Sequence, residues 1–147
     1  MNATTVRAER ETLVLTHFAS EVDQDFDVTL ATMDHPRYEL VGTGEVFDGP
    51  EEVLGYHRRS RTSFPDLRHD NVRLHHADDV VIAEFDLLGT HRGELFGVPG
   101  TGRTFRVPVV ALFFFDGPEG KLITCERVYF DSASIATQLG IVPGVAG

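Results

Sequence analysis

The apolar positions at the N-terminal end repeat with a helical period. Leu13, Val14, His17 and Phe18 recur at i, i+1, i+4 and i+5, so residues 5–18 predict a helix with a one-sided stripe. Residues 23–33 predict a second helix with Phe26, Leu30 and Met33 on one face, stopped by Asp34-His35-Pro36 because the residue before proline leaves helical angles. Residues 37–41 and 45–47 read as short strands around Gly42-Thr43-Gly44, an edge hairpin. Pro50 opens a third helix, with Glu51 and Glu52 suited to the positive end of its dipole. Val53, His57 and Phe64 share its apolar stripe, with Leu54 and Arg61 beside it, and Phe64-Pro65-Asp66 ends it. The period then changes to two. Four long β segments follow, at 68–75, 80–91, 104–115 and 121–130, separated by Asp78-Asp79, a glycine-rich run and residues 116–120. A short helix over 132–139 closes the chain, with Ile135 and Leu139 at i, i+4 and Gly140 as its stop.

Helices, a small hairpin, a helix and then a meander predict an α+β fold with an antiparallel sheet. Strict alternation on the last strand places Ile123, Cys125, Arg127, Tyr129 and Asp131 on one face and Leu122, Thr124, Glu126, Val128 and Phe130 on the other. On the strand before it, Val107, Val109, Ala111, Phe113 and Phe115 share a face. Apart from Arg106 the opposite face is also apolar. Apolar side chains on both faces imply that the side away from the helices is covered too, and a homodimer through the sheet is the simplest cover.

Composition narrows the function classes. The 147 residues are read as one domain, 1–147, with 41% hydrophobic and 24% charged residues, an ordinary globule. No run is long enough to span a bilayer and the N-terminus lacks a signal-peptide layout, so no membrane role is expected. The lone Cys125 cannot form an internal disulfide, which suits a reducing, cytoplasmic location. A formal charge of −10 argues against nucleic acid, and the basic cluster from His57 to Arg61 reads as a solvated helix face. His75 and His76 are adjacent on a strand and face opposite ways. With no helical H-x-x-x-H and no carboxylate triad, no metal is expected.

The run from Gly89 to Arg103 carries five glycines and a proline between two β segments. It is no phosphate cradle, because it leads into a β-branched and aromatic strand and no Lys-Ser/Thr follows. Its wording, Gly-Thr-His-x-Gly-x-Leu-Phe-Gly-x-Pro-x-Thr-Gly-Arg, resembles the hairpin of SnoaL-like polyketide cyclases and their ester-cyclase relatives, within the nuclear transport factor 2-like superfamily. Phe64-Pro65-Asp66 and the pairing of Asp131 with Gln138-Leu139-Gly140 extend the resemblance over roughly residues 5–142. It implies a cone-shaped α+β barrel, helices packed on a strongly curved sheet, and an interior pocket for an apolar small molecule.

The resemblance also implies site residues. Asp131 matches the aspartate that acts as general acid/base in an intramolecular aldol closure, without cofactors. A carboxyl among apolar groups has its pKa raised to where it can take and return a proton. Read from the residues alone, Asp131 is first an N-cap for the closing helix, a role that can coexist with the other. His35, at a position where the superfamily often puts a pocket residue, and His57, on a buried stripe, are candidate partners; His91 in the hairpin suits a structural bond or ligand contact. If Asp131 faces inward, so do Arg127, which could pair with it, and Tyr129, which could hold a carbonyl oxygen; Phe64 and Phe113 would be pocket walls. The function expected is a cyclase or isomerase acting on a polyketide-like or other apolar carbonyl compound. The alternatives are a non-catalytic small-molecule- or partner-binding module on the same fold, and epoxide hydrolysis by Asp131, Arg127 and Glu84 or Asp86.

Overall fold

The computed structural model describes residues 3–141, so the outer ends of the expected 1–147 domain lie outside the described residues. The elements run α1 (Ala3–Asp23), α2 (Phe26–Ala31), β1 (Arg37–Leu40), β2 (Glu45–Asp48), α3 (Pro50–Ser63), β3 (Arg68–His76), β4 (Val80–Thr90), β5 (Thr104–Phe115), β6 (Ile123–Tyr129) and α4 (Ser132–Gln138). No described helix is long and apolar enough to cross a membrane.

The order matches the hydropathy pattern, and the boundary between the first two helices moves. α1 runs on to Asp23, where Gln24 turns left-handed (φ 58°). The Gln24 and Asp25 amides donate to the Glu21 and Ser20 carbonyls, closing the helix in a Schellman motif. The extra turn matters because it carries Ser20 and Glu21 into the interior.

The sheet has six strands in the order β2-β1-β6-β5-β4-β3. Every pair is antiparallel except β1 with β6, which run parallel with Tyr38 opposite Glu126 and Leu40 opposite Val128. The hairpin β1–β2 thus extends the meander at the β6 edge, and α1 to α3 pack on one face of the sheet. That face supplies the core: Ala83, Phe85, Val107, Val109, Ala111 and Phe113 meet Val14, Phe18 and Val53 from the helices. The curved α+β barrel expected from the resemblance is the fold observed.

One register shift decides what faces inward. Phe115 is opposite Ile123 and Phe114 is opposite Cys125, so β6 carries an extra residue, Thr124, at this point. A one-residue bulge moves every following side chain to the other face. Ile123 points inward as alternation predicts. Beyond it Glu126, Val128 and Phe130 point inward, and Cys125, Arg127 and Tyr129 point out.

The family motifs fold onto one another. Asp66 accepts from the Thr90 amide and hydroxyl, both at 2.7 Å, which ties Phe64-Pro65-Asp66 to Gly89-Thr90-His91. Gln138 exchanges two hydrogen bonds with the Arg106 backbone, binding α4 to the start of β5. Gly93 lies so close to the Thr62 carbonyl that no Cβ fits there.

At the other end of the barrel a single cation fastens α1 to the sheet turns. Arg10, 2% exposed, lies 4.3 Å from the Phe115 ring centre and donates to the carbonyls of Gly120 (3.0 Å), Asp78 (2.8 Å) and Gly117 (2.9 Å). Removing it strands three acceptors in a poorly hydrated place. Arg10→Met is expected to lower the unfolding free energy by about 2–4 kcal/mol, read from urea denaturation, with the native fold retained.

Candidate functional site

Two features share the interior of the barrel. The first is a cavity of about 480 Å³ between α3, α4, the loop after β4 and the inner face of β1 and β6. Its walls are apolar, with Leu40, Phe64, Leu87, Phe105, Val128 and Ile135 prominent; Glu45, Arg59 and Glu94 also line it. The second is a buried polar cluster. Leu40 and Val128 line the cavity, and the next inward residues along their strands, about 7 Å deeper at two strand rises, are Tyr38 and Glu126.

His17 is the hub of that cluster and has no solvent exposure. Its Nδ1 lies 2.8 Å from the Thr32 hydroxyl, which itself donates to the Thr29 carbonyl at 2.6 Å. The threonine hydrogen is thereby committed, so Nδ1 carries a proton and donates. On the other side Nε2 lies 2.9 Å from the Tyr38 hydroxyl, 2.8 Å from Glu126 Oε1 and 3.2 Å from Glu21 Oε1. A bare lone pair facing two carboxyl groups would be repelled, so Nε2 is protonated as well and His17 is an imidazolium. Burial pushes its pKa down, but Glu21 and Glu126 outweigh that and raise it to about 10.

The remaining roles follow from the hub. Tyr38 accepts from His17 and donates to His57 Nε2 at 3.1 Å. His57 is kept neutral, its pKa lowered to about 4 chiefly by burial. Phe26 stacks on the His57 ring at 4.8 Å and excludes water from that side. Burial raises the pKa of Glu21, but the His17 imidazolium outweighs it and holds the carboxyl below the ordinary carboxylate range; Arg61 Nη2 is 3.8 Å from its Oε2. For Glu126 burial wins over the single cation His17, and its pKa is raised. Glu126 Oε1 sits 2.8 Å from His17 Nε2, held by that ion pair without a well-aligned hydrogen bond.

His17 Nε2 and oxygens of Glu21 and Glu126 lie within 4.8 Å of one another, a grouping that could hold a metal by donor type. Chelating spacing along the chain does not reveal it, because the three residues come from two elements far apart in sequence. Its charges are already matched, two carboxyl groups against His17 and Arg61, and a protonated Nε2 has no lone pair to offer. We read it as an ion-pair network.

The expected site residues are dispersed. Asp131 is exposed and its side chain accepts from the Ser134 amide at 3.0 Å, so of its two readings the N-cap is the one observed. The bulge at Thr124 puts Tyr129, 41% exposed, on the outer face. It does the same to Arg127, which bonds Glu39 at 2.7 Å and lies over the Phe114 ring. The expected pairing of Arg127 with Asp131 is therefore not made. His35 is exposed and paired with Asp48 at 3.3 Å, outside the cavity. Phe113 is buried against His17 and Phe18 rather than in the cavity wall, and His91 is held by Thr101 in a structural role. Phe64 does line the cavity, and His57 is buried in the cluster. Glu84 and Asp86 pair with His75 and Arg106 on the outer face, so the acids and arginine named for epoxide opening do not converge.

Residues missed from the sequence are His17, Glu21, Tyr38, Tyr56 and Glu126. A histidine and a glutamate at i, i+4 on the core side of α1 was the available signal.

The His17 imidazolium has a stability signature. Its folded pKa of about 10 lies above the ordinary 6.5, so its contribution is complete below pH ~6.5 and is lost as pH rises through 10. His17→Gln is expected to cost about 3–5 kcal/mol at pH 7 and to flatten the decline in stability between pH 7 and 10, measured by urea unfolding across that range.

The profile of the SnoaL-like polyketide cyclase family matches residues 15–139. No curated protein matches the chain. Among solved structures, a candidate SnoaL-like polyketide cyclase from Jannaschia sp. CCS1 is 25% identical and superposes with a TM-score of 0.79, over 92% of this chain and 94% of that one. A candidate polyketide cyclase from Xanthomonas campestris pv. campestris gives 20% identity and a TM-score of 0.81, covering 91% and 98%. A protein of ketosteroid isomerase-like fold from Catenulispora acidiphila, in complex with trimethylamine, gives 19% and 0.75, covering 92% and 96%.

Proposed function

This chain belongs to the SnoaL-like polyketide cyclase family, and we propose that it rearranges an apolar carbonyl compound by cofactor-free proton transfer, with Glu126 as the acid/base group. Family and fold support a cyclase- or isomerase-type role. The observation that carries the finer reading is the position of Glu126: buried, raised in pKa, ion-paired with His17, and one side-chain layer behind the Leu40 and Val128 wall of an apolar cavity. In a ring closure, with the substrate seated past the Leu40 and Val128 side chains, Glu126 would take the proton α to one carbonyl. The enolate carbon then bonds to a second carbonyl carbon, and the oxygen there takes the proton back. Atoms and electrons balance with no oxidant or metal. His17, already protonated, stabilises the carboxylate form of Glu126. His57, neutral and bonded to Tyr38, fixes the tyrosine hydroxyl's direction.

A second reading has its own observation. Among the described residues no imidazole lines the cavity, and Glu126 is separated from it by Leu40 and Val128. That wall suits a module that binds an apolar molecule without reacting.

One assay separates the two. In D₂O with 2-tetralone, the catalytic reading expects deuterium to enter the α position faster than in buffer, followed by NMR. Glu126→Gln should slow this at least ~100-fold, whereas Asp131→Asn should not. Tetralone that raises the melting temperature with no exchange above buffer supports the binding module.

The same proposal extends to the outer face of the sheet. Val110, Leu112 and Phe114 are half-buried there and Pro108 and Tyr129 are exposed, an apolar strip that a second copy would cover. Light scattering is expected to give twice the 16.3 kDa chain mass, and Leu112→Lys to give the single mass.

A further inference from the structure

We propose that Tyr56 is the donor that binds the ligand's carbonyl oxygen, which makes the occupant of the cavity a flat apolar ketone or a related oxygen acceptor. Every other hydroxyl that lines the cavity is already spent on the protein. Thr43 donates to Glu45, Ser60 to the His57 carbonyl, Thr62 to the Arg58 carbonyl, Ser63 to the Glu94 carbonyl and Ser132 to the Gly42 carbonyl. Tyr56 lines the same cavity, and among the described residues its hydroxyl has no hydrogen-bond partner. An unpartnered donor beside an apolar wall is the group that an oxygen acceptor entering the cavity would engage.

Its direction is fixed by packing. The Tyr56 ring lies edge-on to Tyr38 at 5.7 Å, tilted over Phe47 at 4.9 Å, and tilted against His57 at 5.3 Å. A side chain held by three rings is pre-aimed, so little is lost on binding. Burial first, and then the charge of Glu21, raises its pKa well above the ordinary phenol value, so the phenol keeps its proton at working pH. Tyr38, against which it packs, is paired with Glu126 across β1 and β6. An oxygen bound at Tyr56 therefore brings the carbon beside it toward the Glu126 end of the cavity. The inference deepens the reading of the same cavity and rests on it for the chemistry, but not for its test.

The probes are 9-fluorenone and fluorene, which share a shape and differ by the carbonyl. By titration calorimetry, fluorenone is expected to bind the unmodified protein roughly three- to ten-fold more tightly than Tyr56→Phe, the range one net hydrogen bond supplies, while fluorene binds both equally. The carbonyl stretch of bound fluorenone should lie below its frequency in hexane and return toward it in the variant. Equal fluorenone affinity in the two proteins overturns the proposal and leaves the cavity reading standing. So does an unshifted stretch in the unmodified protein, a measurement that does not depend on the variant folding. Failure of both compounds to bind the unmodified protein overturns the proposal and the cavity reading together.

Discussion

A protonated histidine held between two carboxyl groups in the dry interior is the constraint on which this fold turns. His17 on α1 meets Glu21 one turn later and Glu126 from the far end of the chain. Each of these groups alone would be costly to bury. Together they bind the first helix to the last strand and fix the register in which Tyr38 and His57 join them. Stability and candidate chemistry are thus drawn from one set of atoms. The carboxyl group best placed to exchange a proton, Glu126, has His17 as its neighbouring cation among the described residues, whereas Glu21 is served by both His17 and Arg61.

The cavity and the cluster divide the interior by depth. Apolar side chains of β1, β6, α3 and α4 form the space nearer the outside, and the charges lie behind it. Low dielectric at the closed end strengthens the ion pairs and keeps the Tyr56 phenol protonated. It also limits which groups a ligand can touch first. Tyr56 is met before Glu126, so orientation of a bound carbonyl precedes any proton transfer.

The motifs that carry the family resemblance are scaffold in this chain. Asp66 anchors Thr90, Gln138 anchors Arg106, and Gly93 permits the backbone to pass Thr62. They shape the wall and position α4, and from the hairpin Glu94, Leu95 and Phe96 line the cavity.

Periodicity was sufficient for the helices, the four long strands, the edge hairpin and the α+β class, because burial of one face imposes 3.6- or 2-residue spacing wherever an element lies on a core. His57 on the buried stripe of α3 was legible for the same reason, the hairpin from its glycines and proline, and Phe64 as a pocket wall from the family resemblance. Which side of β6 faces inward was not. Alternation assumes an unbroken ladder, and one extra residue at Thr124 exchanged Asp131, Tyr129 and Arg127 for Phe130, Val128 and Glu126. Nor could spacing reveal that His17 would meet Glu126, since 109 positions of chain separate them and a buried charge is specified by its partners in space. The sequence by itself determined the elements and their order, while the tertiary structure alone decided which carboxyl group is held dry.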